Sequence, residues 1–97
     1  MVVKELRVTC LAAAEGGRSS LPSLREGGYS PHLRPDVGPL LGIRFLRGRA
    51  GSFTANVPAF VSVELLYEST VDYSAMKSGA PIAVVEGAKV VGWAEVL

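Results

Sequence analysis

The stretch FVSVELLY at residues 60–67 decides the fold class of this 97-residue chain. Its apolar side chains recur at every second position, which is the period of a strand with one buried face. They are Val61, Val63, Leu65 and Tyr67, with Ser62, Glu64 and Leu66 on the opposite face. A helix is the competing interpretation, because Glu64, Glu68 and Asp72 are four residues apart and would stack on one helix face. The β-branched residues of the same region favour the strand.

Further strands are predicted on both sides of this stretch. Short apolar runs bounded by Gly, Pro and Ser predict them at Val3–Leu11, Gly28–Arg34, Leu40–Leu46, Ile82–Val85 and Val90–Val96. We expect residues 12–15 to extend the first strand up to a turn at residues 16–17. Four prolines between residues 22 and 39 exclude a helix of ordinary length there. Six short strands in a chain of one-domain length predict an all-β fold, either a small antiparallel barrel or a sandwich.

The residue inventory favours binding over catalysis. Cys10 and His32 are the only cysteine and histidine, which excludes an internal disulfide and leaves too few soft ligands for a zinc site. Cys10 alternates with Leu6 and Val8, so we expect it to be a small buried hydrophobe. The chain has no phosphate-binding loop, dinucleotide fingerprint or nucleophile elbow. We therefore expect no enzyme activity, no nucleotide and no cofactor.

The hydropathy of the chain indicates a compact protein outside the membrane. Apolar residues make up 48% of the sequence, which is enough to build a core and argues against disorder. No apolar stretch approaches the ~18–20 residues of a membrane span, and the N-terminal ten residues are charged. We expect a cytoplasmic protein that has no membrane partner.

The charge of the chain divides it into two unlike halves. Residues 1–49 carry eight bases against four acids, whereas residues 50–97 carry two bases against five acids. Seven of the ten bases are arginine, whose planar fork suits phosphate and carboxylate groups. One interpretation is an anion-facing or RNA-facing patch. The other is that bases and acids interleave on the folded surface, since the isoelectric point of about 7.9 lies below the ~9 typical of nucleic-acid-binding domains.

Four short motifs stand in order along the chain: Glu15-Gly16-Gly17-Arg18, Gly28-Tyr29-Ser30-Pro31-His32, Asp36-Val37 and Glu86-Gly87-Ala88-Lys89-Val90-Val91-Gly92. They resemble motifs of the C-terminal (third) domain of translation elongation factor Tu. The resemblance implies that residues 1–97 form a single six-stranded antiparallel β-barrel like that domain. It also implies that four positions would face tRNA in such a barrel, namely His32, Gly38, Glu86 and Gly87.

We interpret the chain as a stand-alone, non-enzymatic binding module that engages a protein partner, either a translation factor or a toxin or effector. The contacts would come from the Gly-Gly-Arg turn, the strand that follows it and an arginine cluster: Arg18, Tyr29, His32, Arg34, Arg44, Arg47 and Arg49. The alternative is a tRNA- or RNA-binding barrel that places five of these arginines on phosphates. A small hydrolase using Glu64, Glu68 or Asp72 is a third hypothesis.

The resemblance also bears on oligomeric state. In the elongation factor, the third domain packs against two other domains. A barrel that lacks them would leave an apolar surface uncovered, and such surfaces usually mark an interface. We therefore predict a homodimer.

Overall fold

The computed structural model describes residues 2–18, 20–21, 28–36, 38–46, 53–79 and 81–97. Those residues form an all-β structure of six strands and one short 3₁₀ helix, Ala13–Glu15. The strands are β1 (Val3–Cys10), β2 (His32–Arg34), β3 (Leu41–Phe45), β4 (Ala59–Leu65), β5 (Pro81–Glu86) and β6 (Lys89–Val96). The stretch that decides the fold class is therefore a strand, and the helical alternative for it is wrong.

The six strands close into an antiparallel barrel in the order β1-β4-β3-β2-β5-β6, with β6 returning to β1. This confirms the predicted six-stranded barrel over the sandwich. Each strand is thus hydrogen-bonded on both sides. A closed barrel has no free edge onto which another strand could add.

Alternation along each strand directs apolar side chains into the barrel. Leu6 of β1 lies opposite Val61 of β4 and Val96 of β6, and all three are buried. The other strands also turn their apolar side chains inward. The interior is therefore filled by aliphatic side chains around Phe45, which is 1% exposed. The Tyr29 ring meets Phe45 edge-on at a centroid distance of 5.1 Å. This geometry is the favoured one for two aromatic rings.

Several predicted boundaries require correction. Residues 12–15 do not extend β1: the chain turns into the 3₁₀ helix and leaves it through Gly16, whose φ is 93°. Residues 28–31 hydrogen-bond to β3 but lie outside β2, which is only three residues long. The strand predicted to end at residue 67 ends at Leu65.

Candidate functional site

Three of the predicted contact residues lie on the outer surface of β2 and β3. His32 and Arg34 point outward from β2, and Arg44 points outward from β3. His32 lies directly opposite Gly42. Arg34 lies two residues from His32 along β2, and Arg44 lies two residues from Gly42 along β3. Because the strands are antiparallel, the two arginines lie on opposite sides of the His32–Gly42 pair, each about 7 Å from it.

A tyrosine that the sequence does not assign to this surface lies at its centre. A Cβ built on Gly42 would be 2.5 Å from Cε2 of Tyr67 and 3.8 Å from Nε2 of His32. The Tyr67 ring thus occupies the space that a side chain at residue 42 would fill. It remains 50% exposed. We call the surface formed by His32, Arg34, Arg44 and Tyr67 the basic face.

Backbone contacts hold the turn that carries Tyr67 against the barrel. The hydroxyl of Tyr73 donates a hydrogen bond to the carbonyl oxygen of Gly42 at 2.7 Å and accepts one from the backbone N–H of Tyr67 at 3.1 Å. Leu66 N–H also donates to the Gly42 carbonyl at 3.1 Å. The backbone at Tyr67 is therefore held against β3 before any partner arrives.

The strand order explains why positive charge collects here. Strands β1, β2 and β3 come from the basic half of the chain, and β4, β5 and β6 come from the acidic half. In the barrel, β2 and β3 are the two strands from the basic half of the chain that lie side by side. Arg44 is 3.4 Å from a carboxylate oxygen of Glu64 on β4, whereas Arg34 has no carboxylate partner within the described part of the chain. Among the described residues, the Arg34 guanidinium of the basic face thus has no carboxylate to neutralise it.

Three other predicted residues form a separate cluster beside the β5–β6 turn. Arg18 Nη1 lies 2.8 Å from Oε2 of Glu86, and the Tyr29 hydroxyl donates a hydrogen bond to the same oxygen. The Arg18 guanidinium also lies 5.0 Å from the centroid of the Tyr29 ring. Burial, followed by the hydrogen bond to Glu86, raises the pKa of Tyr29. Arg18 already has a carboxylate partner, so it is less suited than Arg34 to an external anion.

A small pocket opens beneath this cluster into one end of the barrel. The pocket is about large enough for one water molecule. Apart from Arg18, its walls are apolar or aromatic side chains and Gly92, and they include Cys10. Burial raises the pKa of the Cys10 thiol to about 11.

The remaining predicted residues lie elsewhere or outside the described residues. Gly38 is exposed in a turn with a φ of 119°, and Gly87 lies in the β5–β6 turn with a φ of 61°. Arg47 and Arg49 fall outside the described residues. The carboxylates of the hydrolase hypothesis do not line the pocket.

Sequence reasoning also missed a pair of exposed aromatic side chains on the opposite side of the barrel. Phe60 on β4 is 66% exposed and Trp93 on β6 is 50% exposed. The exposure of Phe60 is predictable from the sequence. Phe60 lies at alternate positions with Ser62 and Glu64 along β4, so it points outward as they do. Half of the Trp93 side chain also lies in solvent.

No model of a protein family matches this chain, and no curated protein matches it either. Across the described residues, no helix is long and apolar enough to cross a membrane, and no three His, Cys, Asp or Glu side chains are grouped to hold a metal ion. Functional inference therefore depends on the surfaces of the barrel.

Proposed function

We propose that this chain is a non-enzymatic module that binds an acidic protein surface through its basic face. The observation that carries the proposal is the Tyr67 ring, which is half exposed and lies above Gly42 between Arg34 and Arg44. Tyr and Arg are the residue types that most often dominate the energy of protein interfaces. An aromatic ring flanked by two guanidinium groups fits a partner that offers an apolar side chain with carboxylates around it.

Preorganisation supports this assignment. The Tyr73 hydroxyl connects the backbones of Tyr67 and Gly42, so the backbone that carries the ring is ordered before a partner covers it. Arg34 has no carboxylate to give up within the described part of the chain. Arg44 would exchange a long and exposed ion pair, of a kind worth about 0–1 kcal/mol, for the partner's carboxylate.

The closed barrel restricts how the partner can dock. Because all six strands are paired on both sides, a peptide cannot bind by adding a strand to the sheet. The partner must contact side chains on the outer surface. The motif resemblance to the third domain of elongation factor Tu supports the same class of function, and we propose a translation factor or a toxin or effector as the partner.

The test is affinity capture with matched variants. The tagged chain would be incubated with lysate of its own source, and captured proteins would be identified by mass spectrometry. We expect wild type to capture a protein that Arg34→Glu and Tyr67→Ser both lose. Lys4→Glu is the control, because it makes the same charge change on β1, two strands away from β3. Capture of no protein by wild type, or equal loss with the control, would contradict the proposal.

RNA binding is the second candidate, and a specific observation favours it. Tyr67 and His32 both lie close to Gly42 with an arginine on either side, and aromatic rings flanked by cations also stack and hold single-stranded bases. Filter binding to total tRNA over a salt series separates the two candidates. Binding that falls steeply with salt and is lost in Tyr67→Ser would replace the acidic protein with RNA as the ligand of this face.

A further inference from the structure

The end of the barrel beneath the Arg18–Tyr29–Glu86 cluster is covered by two parts of the chain that are held in different ways. Tyr29 is joined to β3 through its backbone. Phe45 N–H donates a hydrogen bond to the Tyr29 carbonyl at 2.7 Å, and Gly28 N–H donates to the Phe45 carbonyl at 2.9 Å. The Tyr29 ring also packs edge-on against Phe45. Tyr29 is therefore a fixed wall of the pocket.

Arg18 and Leu21 reach the same end of the barrel through their side chains. Within the described part of the chain, no backbone hydrogen bond joins Arg18, Ser20 or Leu21 to a strand. The Leu21 side chain packs against the core, and Arg18 and Leu21 both line the pocket. We call these two residues the lid.

The lid begins where the anchoring of the backbone stops. Gly17 N–H donates a hydrogen bond to the Ala12 carbonyl at 3.0 Å. A Cβ on Gly17 would be 2.1 Å from the carbonyl oxygen of Leu11, so the chain is packed tightly beside the end of β1 up to this residue. The next residue is Arg18. A moving lid would therefore swing at Gly17, and glycine permits the change of backbone angles that a hinge requires.

One carboxylate joins the lid to the fixed wall. Arg18 Nη1 lies 2.8 Å from Oε2 of Glu86, and the Tyr29 hydroxyl donates a hydrogen bond to the same oxygen. The Arg18 guanidinium also lies 5.0 Å from the centroid of the Tyr29 ring, a cation–π distance. Glu86 is the last residue of β5, so its backbone belongs to the barrel. A residue of the barrel thus holds the charged group of the lid.

The contacts of the lid are weak enough to open without unfolding the barrel. The side chains of Arg18 and Glu86 are 32% and 36% exposed, and exposed ion pairs add little stability. Leu21 is only partly buried. Segments held by few buried contacts open locally at a lower free energy than global unfolding requires. The strands, in contrast, are paired on both sides.

We propose that Glu86 latches the lid over this end of the barrel, and that release of the latch opens the pocket to solvent while the six strands stay paired. Opening gives access to Cys10, which lines the pocket and is otherwise 7% exposed. This conformational device goes beyond the proposed function and uses a different part of the molecule. Arg34→Glu on the basic face is expected to leave the lid unchanged, so the two proposals can fail independently.

Cys10 reports the opening of the lid, because it is the only cysteine of the chain. The folded protein would be treated with iodoacetamide at about pH 8, where thiolate formation limits the reaction, and alkylation would be followed by mass spectrometry. We expect Glu86→Ala to react about tenfold faster than wild type or more, since it removes hydrogen bonds to a charged group. Glu95→Ala is the matched control, because the Glu95 side chain is also 36% exposed and pairs with Arg7 at 3.0 Å. Equal rates for Glu86→Ala and wild type, or equal acceleration by the control, would overturn the proposal.

Urea separates opening of the lid from global unfolding. Opening exposes little new surface, so the alkylation rates of wild type and Glu86→Ala should change little at low urea, whereas a reaction that requires unfolding accelerates steeply. Tyr29→Phe is a second variant, which keeps the ring against Phe45 but removes its hydrogen bond to Glu86. It should also react faster than wild type, with an unchanged circular dichroism spectrum. Rates that follow the free energy of unfolding in every variant would show that Cys10 is reached only by unfolding and would contradict the lid.

Discussion

Cys10 shows how the barrel changes the chemistry of a single side chain. It lies on the inner face of β1 and is 7% exposed. Burial outweighs the opposing effect of the Arg18 charge and raises the pKa of the Cys10 thiol to about 11. Because the thiolate is the reactive form of cysteine, Cys10 is a poor nucleophile at neutral pH. It serves as a small core residue, as its alternation with Leu6 and Val8 predicts.

The raised pKa of Cys10 makes stability depend on pH in a defined window. In the unfolded chain the thiol loses its proton near pH 9, whereas in the barrel it keeps the proton up to about pH 11. The unfolded state therefore gains stability as the pH rises through this window, and the free energy of unfolding falls. We expect a loss of roughly 1 kcal/mol between about pH 8 and about pH 10, measured by urea unfolding.

Cys10→Ala is the control for this prediction. It lowers stability at every pH because it removes core volume, but it has no thiol to titrate. Its free energy of unfolding should fall less than that of wild type over the same window. Parallel curves for the two proteins would show that Cys10 does not cause the pH dependence.

The strands are the elements that the sequence predicts best, and the ends of strands are where prediction stops. Val61, Val63 and Leu65 are buried as their alternation requires. The same alternation predicts Tyr67 on their side, but the periodicity applies only inside a strand and β4 ends at Leu65. After Leu65 the chain turns, and Tyr67 packs on the outer side of β3 over Gly42. The alternation thus places Tyr67, the most important residue of the basic face, on the wrong side of the sheet.

Two glycines allow close contacts between elements, and replacing each of them with alanine should change the stability by a different amount. A Cβ on Gly92 would lie 2.6 Å from the carbonyl oxygen of Thr9, so Gly92→Ala forces β6 away from the backbone of β1. A Cβ on Gly42 would meet the Tyr67 ring, which can swing into solvent. We expect Gly92→Ala to lower the free energy of unfolding by about 1–3 kcal/mol, and Gly42→Ala to change it by less than about 1 kcal/mol.

In the capture experiment the order of the two variants is reversed, because Gly42→Ala should have the larger effect there. Gly42→Ala should lose the captured protein, since it displaces the ring that the partner contacts, while its thermal melt stays close to that of wild type. Gly92→Ala should still capture the protein at temperatures where it remains folded. Full capture by Gly42→Ala would mean that the position of Tyr67 above Gly42 does not matter for binding.

On the scale of the whole molecule, the barrel interleaves the two halves of the chain. The basic strand β1 lies between the acidic-half strands β4 and β6, and the ion pairs Arg7–Glu95 and Arg44–Glu64 form across such boundaries. The sequence predicts this cancellation as one of two interpretations of its charge. The exception at β2 and β3 comes from the pairing of two consecutive strands, whose register places Arg34 and Arg44 on one outer surface. The cancellation elsewhere depends on pairings between residues far apart in the chain, such as Arg7 with Glu95.

Those distant pairings should also govern how fast the chain folds. The barrel closes when β1 pairs with β6, which joins Leu6 to Val96 across nearly the whole sequence. Long loops must close before such contacts form, so we expect refolding on the order of milliseconds to seconds. Trp93 lies opposite Thr9 at this junction, so stopped-flow fluorescence reports the closure itself. Far-ultraviolet circular dichroism should give the same rate if closure limits the formation of the sheet. Recovery of both signals within about 100 µs, the regime of proteins dominated by local contacts, would contradict this account of barrel assembly.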